Sequence, residues 1–115
     1  MYLFNLSGHT PPKGSEEFDV IVNRDIPNIA PTPEAVARQA FDLVDSLPQD
    51  VVQEGGFEVI LPGMTPLAAA VLAVIHGRYG QFPAIRFAVR QADGTFRLSG
   101  RIDLQQVRMD GRAGR

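Results

Sequence analysis

The chain has 115 residues, enough for one compact domain with one hydrophobic core and too few for a second. It has no cysteine, which excludes a disulfide framework, a thiolate zinc site and a cysteine nucleophile, and its two histidines cannot build a structural metal site alone. No secretory leader is recognisable, and the longest mostly apolar run is about a dozen residues, too short to cross a bilayer. We therefore expect a soluble, cytoplasmic protein with no metal, no cofactor and no membrane partner.

Charge is unevenly distributed along the chain, although the net charge is only −2. Residues 1–77 hold 3 basic and 10 acidic side chains, whereas residues 78–115 hold 8 basic and 3 acidic ones. All eight late basic residues are arginine, a side chain suited to bidentate phosphate contact. A GC-rich genome produces the same excess of arginine over lysine, so both explanations stay open.

The chain opens with Tyr2–Leu6, which is apolar enough to predict a central strand of a parallel sheet. The next four residues combine two hydroxyls, one imidazole and a glycine that lets a ligand approach the backbone, namely Ser7, Gly8, His9 and Thr10. A plain polar turn has the same composition. Prolines and a glycine then exclude a long helix, so residues 7–18 are predicted to form an irregular crossover to a parallel strand at Asp19–Asn23.

Two features are expected between this strand and the middle of the chain. Arg24 follows the strand, and a surface pair with Asp25 is favoured over contact with a ligand. Thr32 followed by Pro33 predicts the start of an amphipathic helix over residues 33–47, and a polar segment at 49–56 leads into the next strand.

The stretch FEVILPGMTPLAAAVLAVIHGRYG, residues 57–80, predicts a strand, a tight turn and a helix. Thr65 is the expected N-cap, with Pro66 at the first helical position. Free N–H groups and the helix dipole make the turn a candidate anion site formed by Gly63, Met64 and Thr65. Many turns of this type bind nothing.

This helix has no polar side chain between Leu67 and Ile75, so it must be covered on two sides. In so small a chain the second cover is expected to be another subunit, which predicts a homodimer or a higher homo-oligomer. His76 and Arg78 lie about 20 Å from the start of the helix and are expected to be structural within one subunit.

The last third predicts a strand at 84–90, a turn at 91–94 and a return strand at 95–98, forming an antiparallel edge hairpin. Asp103 and Gln106 predict a capping box for a short helix that ends near Gly111, with residues 112–115 as a frayed tail.

The expected fold is a three-layer α/β domain over residues 1–111, with a mainly parallel sheet and a hairpin edge. If the first and third strands are neighbours, residues 7–10 and 63–65 face each other across one crevice.

Three segments together resemble a small accessory family of type III CRISPR loci, the Csx family numbered fifteen. They are LFNLSGHTPP, LPGMTPLAAAVLAVIHGRYGQFPAIRF and IDLQQVR, in this order over about half of the chain. The resemblance implies a minimal relative of the CRISPR-associated Rossmann fold (CARF), whose dimers bind cyclic oligoadenylates, with SGHT and PGMT as the ligand loops. Relatives have a helix between the first two strands, where this chain has a proline-rich loop.

Two functions follow from the resemblance. The favoured one is a binder that sequesters cyclic tetra-adenylate and damps the antiviral signal, without direct DNA binding. The alternative is a metal-independent ring nuclease, in which the ribose 2′-hydroxyl attacks the adjacent phosphate and His9 is the acid or base. An ordinary nucleotide site is a third possibility, although the common phosphate-binding motifs are absent.

Overall fold

A five-stranded sheet forms the centre of the computed structural model, which describes residues 1–115. The strands of the chain are β1 (Tyr2–Asn5), β2 (Val20–Asn23), β3 (Phe57–Ile60), β4 (Ala84–Arg86), β5 (Ala88–Arg90), β6 (Phe96–Leu98) and β7 (Ile102–Asp103). The helices are α1 (Pro33–Asp45), α2 (Gln49–Glu54), α3 (Thr65–Tyr79) and α4 (Leu104–Ala113), and a single 3-10 turn spans Ser15–Glu17. None of the helices has the length and apolar composition that a membrane-spanning segment needs.

The sheet has the order β2-β1-β3-β4-β7, and its first four strands are parallel. β1 lies inside the sheet between β2 and β3, with Tyr2 opposite both Val20 and Phe57. The short β7 closes one edge in the antiparallel direction. This mostly parallel sheet with an antiparallel edge confirms the predicted Rossmann-like α/β class.

Side chains alternate across the sheet and divide the core into two clusters. On one face Phe4 and Val59 pack against α1, α2 and α3. On the other face Leu3 and Ile60 pack against Phe18 of the crossover and Leu98 of β6. The third layer is therefore built by a loop and a hairpin instead of helices, because the proline-rich crossover leaves room for only one 3-10 turn.

The predicted edge hairpin exists, but it bends away from the main sheet. Ala84 and Ile85 pair with Asp103 and Ile102, whereas Ala88 pairs with Leu98, so the register shifts by one residue between the two ladders. Phe87 and Ser99 bond to each other in between. An extra residue in one strand of an antiparallel pair is a β-bulge, which bends the strand and increases its twist. The bulge carries β5 and β6 out of the sheet as a separate ladder.

Several boundaries differ from the sequence prediction. α2 was predicted as a polar connection, and its missed signal is the pair Val51-Val52, of which Val52 is buried in the core. α3 has Met64 as its N-cap, so Thr65 is the first helical residue and not the cap. α4 has the predicted cap, in which the Asp103 side chain accepts from the Gln106 N–H, but it continues to Ala113 into the segment expected to fray.

Two arginines also have defined partners. Arg24 does not pair with Asp25, because its guanidinium donates to the hydroxyl and the carbonyl oxygen of Ser46 at the end of α1. Arg78 pairs with Asp45 at 2.6 Å and is structural within the subunit, as predicted.

Glu58 is the buried charge of the sheet, with only 4% of its surface exposed. Its two carboxylate oxygens accept from Arg86 at 2.7 Å and from Arg101 at 3.0 Å. Arg86 also contacts Glu17 at 3.1 Å and lies over the ring of Phe18, with 5.4 Å between guanidinium carbon and ring centre. This network joins β3, the crossover and the base of the hairpin.

Replacing Glu58 with alanine is expected to lower the free energy of unfolding by about 3 kcal/mol or more, because it removes the main counter-charge of Arg86, whose side chain is only 16% exposed. Asp45→Ala breaks an exposed ion pair and is expected to cost about 1 kcal/mol or less. Urea denaturation at one protein concentration measures both values. Equal losses in the two variants would show that the Glu58 network does not stabilise the sheet.

Candidate functional site at the carboxyl end of the sheet

A cavity of about 320 Å³ lies where β1 and β3 end. Its volume is at the lower end of the range found for small-molecule sites. Three polar residues of the loop after β1 form one side, and apolar groups of the crossover, β3 and the hairpin form the other. The lining residues are Ser7, His9, Thr10, Pro12, Ile60, Ala88 and Phe96.

Asn5, which is 1% exposed, holds the polar loop in place. Its side-chain amide donates to the carbonyl oxygen of His9 and to the side-chain oxygen of Asn23, both at 2.8 Å. Its side-chain oxygen accepts from the Ser7 hydroxyl at 2.6 Å, and that hydroxyl oxygen accepts from the His9 N–H at 3.1 Å. The loop reverses at Gly8, whose φ of +78° is strained for other residues. The conformation at the cavity wall is thus set by one buried amide and one glycine.

The predicted site residues divide into two groups. Ser7, His9 and Thr10 line the cavity, and Gly8 shapes the loop that carries them. Gly63, Met64 and Thr65 are exposed at the start of α3 and do not line it. Met64 lies in a separate groove between the N-terminal ends of α1 and α3.

The two loops follow neighbouring strands, as the prediction required, but they do not share one cavity. Leu6 after β1 and Leu61 after β3 both pack into the core on the helical face. None of Gly63, Met64 and Thr65 lines the cavity that Ser7, His9 and Thr10 line, so one subunit does not form the expected single crevice.

His9 is the titratable residue of the cavity wall. It is exposed, and it makes hydrogen bonds through its backbone only, to Asn5 and Ser7. No carboxylate contacts its imidazole to orient the ring or to stabilise a proton on it. No group of three or more His, Asp or Glu side chains is placed to hold a metal ion anywhere in the chain.

Two residues that shape the cavity, Asn5 and Phe96, were not predicted from the sequence. Asn5 had a visible signal, since it is a polar residue within the apolar strand YLFNL. Phe96 had none, because its place beside His9 depends on the bulge that bends the hairpin over the end of the sheet.

The hairpin turn is fixed by Asp93. Its side-chain oxygen accepts from the Thr95 hydroxyl at 2.6 Å and from the Thr95 N–H at 2.9 Å. These hydrogen bonds lower the pKa of Asp93, the one from the hydroxyl having the larger effect. Because the folded-state pKa is lowered, the contribution to stability is present at neutral pH and is lost as pH falls through the folded-state pKa.

Asn5→Asp keeps the oxygen that accepts from Ser7 but removes the amide donor, so it leaves the His9 carbonyl facing a carboxylate. We expect a loss of about 1–3 kcal/mol in the free energy of unfolding, together with changed amide shifts of residues 7–10 in NMR spectra. Asn28→Asp, in an exposed loop, is the matched control and is expected to stay within about 0.5 kcal/mol. Unchanged shifts in residues 7–10 of Asn5→Asp would contradict the role of the buried amide.

No family model matches the chain, and neither a curated protein nor a solved structure is similar enough to count as a match.

Proposed function

We propose that the protein binds a cyclic oligoadenylate, with cyclic tetra-adenylate as the expected ring, and that it sequesters this second messenger to damp type III CRISPR signalling. The observation that carries the proposal is the cavity at the carboxyl end of β1 and β3. It is lined by Ser7, His9 and Thr10 on one side and by an apolar wall that includes the ring of Phe96 on the other. Such a pairing suits a nucleotide, which has a polar ribose phosphate and a flat apolar base.

Binding is favoured over cleavage by the surroundings of His9. A general base is normally within hydrogen-bond reach of its target and is oriented by a third group. Asn5 and Ser7 hold the backbone of His9, but no side chain holds its imidazole. A ligand can be retained by such a site without being attacked.

Ring cleavage remains the second candidate because His9, Ser7 and Thr10 line the same cavity. In that reaction the ribose 2′-oxygen bonds to the adjacent phosphorus, the bond to the 5′-oxygen breaks, and a 2′,3′-cyclic phosphate forms. His9 would take the 2′ proton or give one to the leaving 5′-oxygen. The reaction needs no metal ion.

A homodimer is part of the proposal, and α3 supplies its interface. Small residues are exposed on the outer side of α3 at four-residue spacing, namely Ala69, Ala73 and Gly77. Beside them a groove of about 460 Å³ runs between the outer sides of α3 and α1, and the half-exposed ring of Phe41 forms part of its wall. A second copy of the chain would bury these groups in a twofold contact.

Ala73→Glu is expected to convert the dimer into a monomer of 12.5 kDa, because it places a charge in the centre of the proposed interface. Light scattering coupled to size exclusion at micromolar concentration measures the mass. Ala113→Glu makes the same change at an exposed site near the end of α4 and is expected to leave the dimer intact. A wild-type monomer at this concentration would overturn the homodimer.

His9→Asn separates the two candidate functions. For a binder we expect an affinity loss of about 1–3 kcal/mol for labelled cyclic tetra-adenylate and no product from either protein. For a nuclease we expect nearly unchanged binding and a single-turnover rate reduced by about 10² or more. His76→Asn changes the other histidine, which packs on Phe82 and lies outside the cavity, and serves as the control. Wild-type protein that neither retains nor cuts the ring would refute both candidates.

A further inference from the structure

One face of the β5-β6 hairpin is turned toward the cavity. Cross-strand partners share a face, so Ala88 and Leu98 lie on the same side as Arg90 and Phe96, while Val89 and Arg97 lie on the other. Leu98 is buried in the core, and Ala88 lines the cavity. The face that carries Arg90 and Phe96 is therefore the one directed at the carboxyl end of the sheet.

Phe96 is an aromatic ring without an aromatic partner. It lines the cavity together with Ser7 and His9, yet 49% of its surface is exposed. Tyr2, Phe4, Phe57 and Tyr79 contact one another in the core, and Phe82 packs on His76, but no ring packs on Phe96. An open ring at the edge of a cavity is a platform on which a base can stack.

Arg90 is directly opposite Phe96 in the ladder. The β-carbons of such a pair are about 4.5–5.5 Å apart, so the guanidinium is within reach of whatever the ring contacts. Arg24, Arg78, Arg86 and Arg101 all donate to protein groups, whereas the Arg90 side chain makes no hydrogen bond or ion pair. An arginine free of protein partners is available to a phosphate.

We infer that the hairpin is a nucleotide-binding arm, in which Phe96 stacks on the base and Arg90 pairs with the phosphate of the same or the next nucleotide. The inference rests on the proposed function in taking an adenine nucleotide as the ligand, and it assigns the contacts that select the base and anchor its phosphate. It requires that the bulge hold the arm over the cavity. The loop of residues 7–10 then contacts the ribose and phosphate from the opposite side.

The test measures the affinity of four variants for labelled cyclic tetra-adenylate and for linear tri-adenylate. Phe96→Leu, which keeps an apolar side chain without a flat ring, is expected to weaken binding about tenfold or more, and Phe96→Tyr to bind within about threefold of wild type. Arg90→Gln is expected to weaken binding about tenfold and to reduce its dependence on salt concentration. Arg97→Gln, on the opposite face of the same hairpin, is expected to change neither.

Phe87→Leu is a further control, because Phe87 is 50% exposed, as Phe96 is, but does not line the cavity. If wild-type protein binds the ring and Phe96→Leu and Arg90→Gln bind like wild type, the arm is refuted while the proposed function stands. If wild-type protein binds linear tri-adenylate but not the ring, with the expected losses in both variants, the arm stands and the proposed function fails. Binding of neither probe refutes both.

Discussion

The buried pair of Glu58 and Arg86 is the constraint on which the position of the hairpin depends. A carboxylate inside a sheet is tolerated only with a counter-charge and further hydrogen bonds. Arg86, the last residue of β4, precedes the β5-β6 hairpin, and Arg101, just before β7, follows it, so the chain brings a cation to Glu58 on both sides of the hairpin. The guanidinium of Arg86 also donates to the carbonyl oxygen of Ser99, next to the register shift. The ion pair thus fixes the point at which the hairpin leaves the sheet and crosses to the second face.

Ion pairs between distant parts of the chain account for part of its uneven charge. Arg86 and Arg101 neutralise Glu58, Arg86 also contacts Glu17, and Arg78 pairs with Asp45. Arginines of the last third therefore meet acids of the first two thirds inside one folded unit. The excess of arginine at the end of the chain is to this extent a consequence of folding, and only the arginines outside these pairs remain available to a ligand.

Local patterns in the sequence predicted most of the elements but not the directions in which they are joined. Prolines marked the starts of α1 and α3, the Thr32 cap marked α1, and the apolar run at Tyr2 indicated a strand inside a parallel sheet. The bulge in the hairpin was not visible, because a register shift of one residue has no composition of its own. The separation of Gly63 from the cavity was not visible either, because it depends on the paths of the two loops and not on their composition.

Because of the bend in the hairpin, the residues that form the core and the residues that face the cavity lie in different parts of the chain. Between Ala88 and Leu98 only Leu98 belongs to a core cluster, so residues 88–97 contribute little to the buried interior. Substitutions there alter the groups offered to a ligand at small cost to folding, as long as the Asp93 turn and the Glu58 pair hold both ends of the segment. The side chains that face the cavity from this short segment can therefore change while the parallel sheet stays the same.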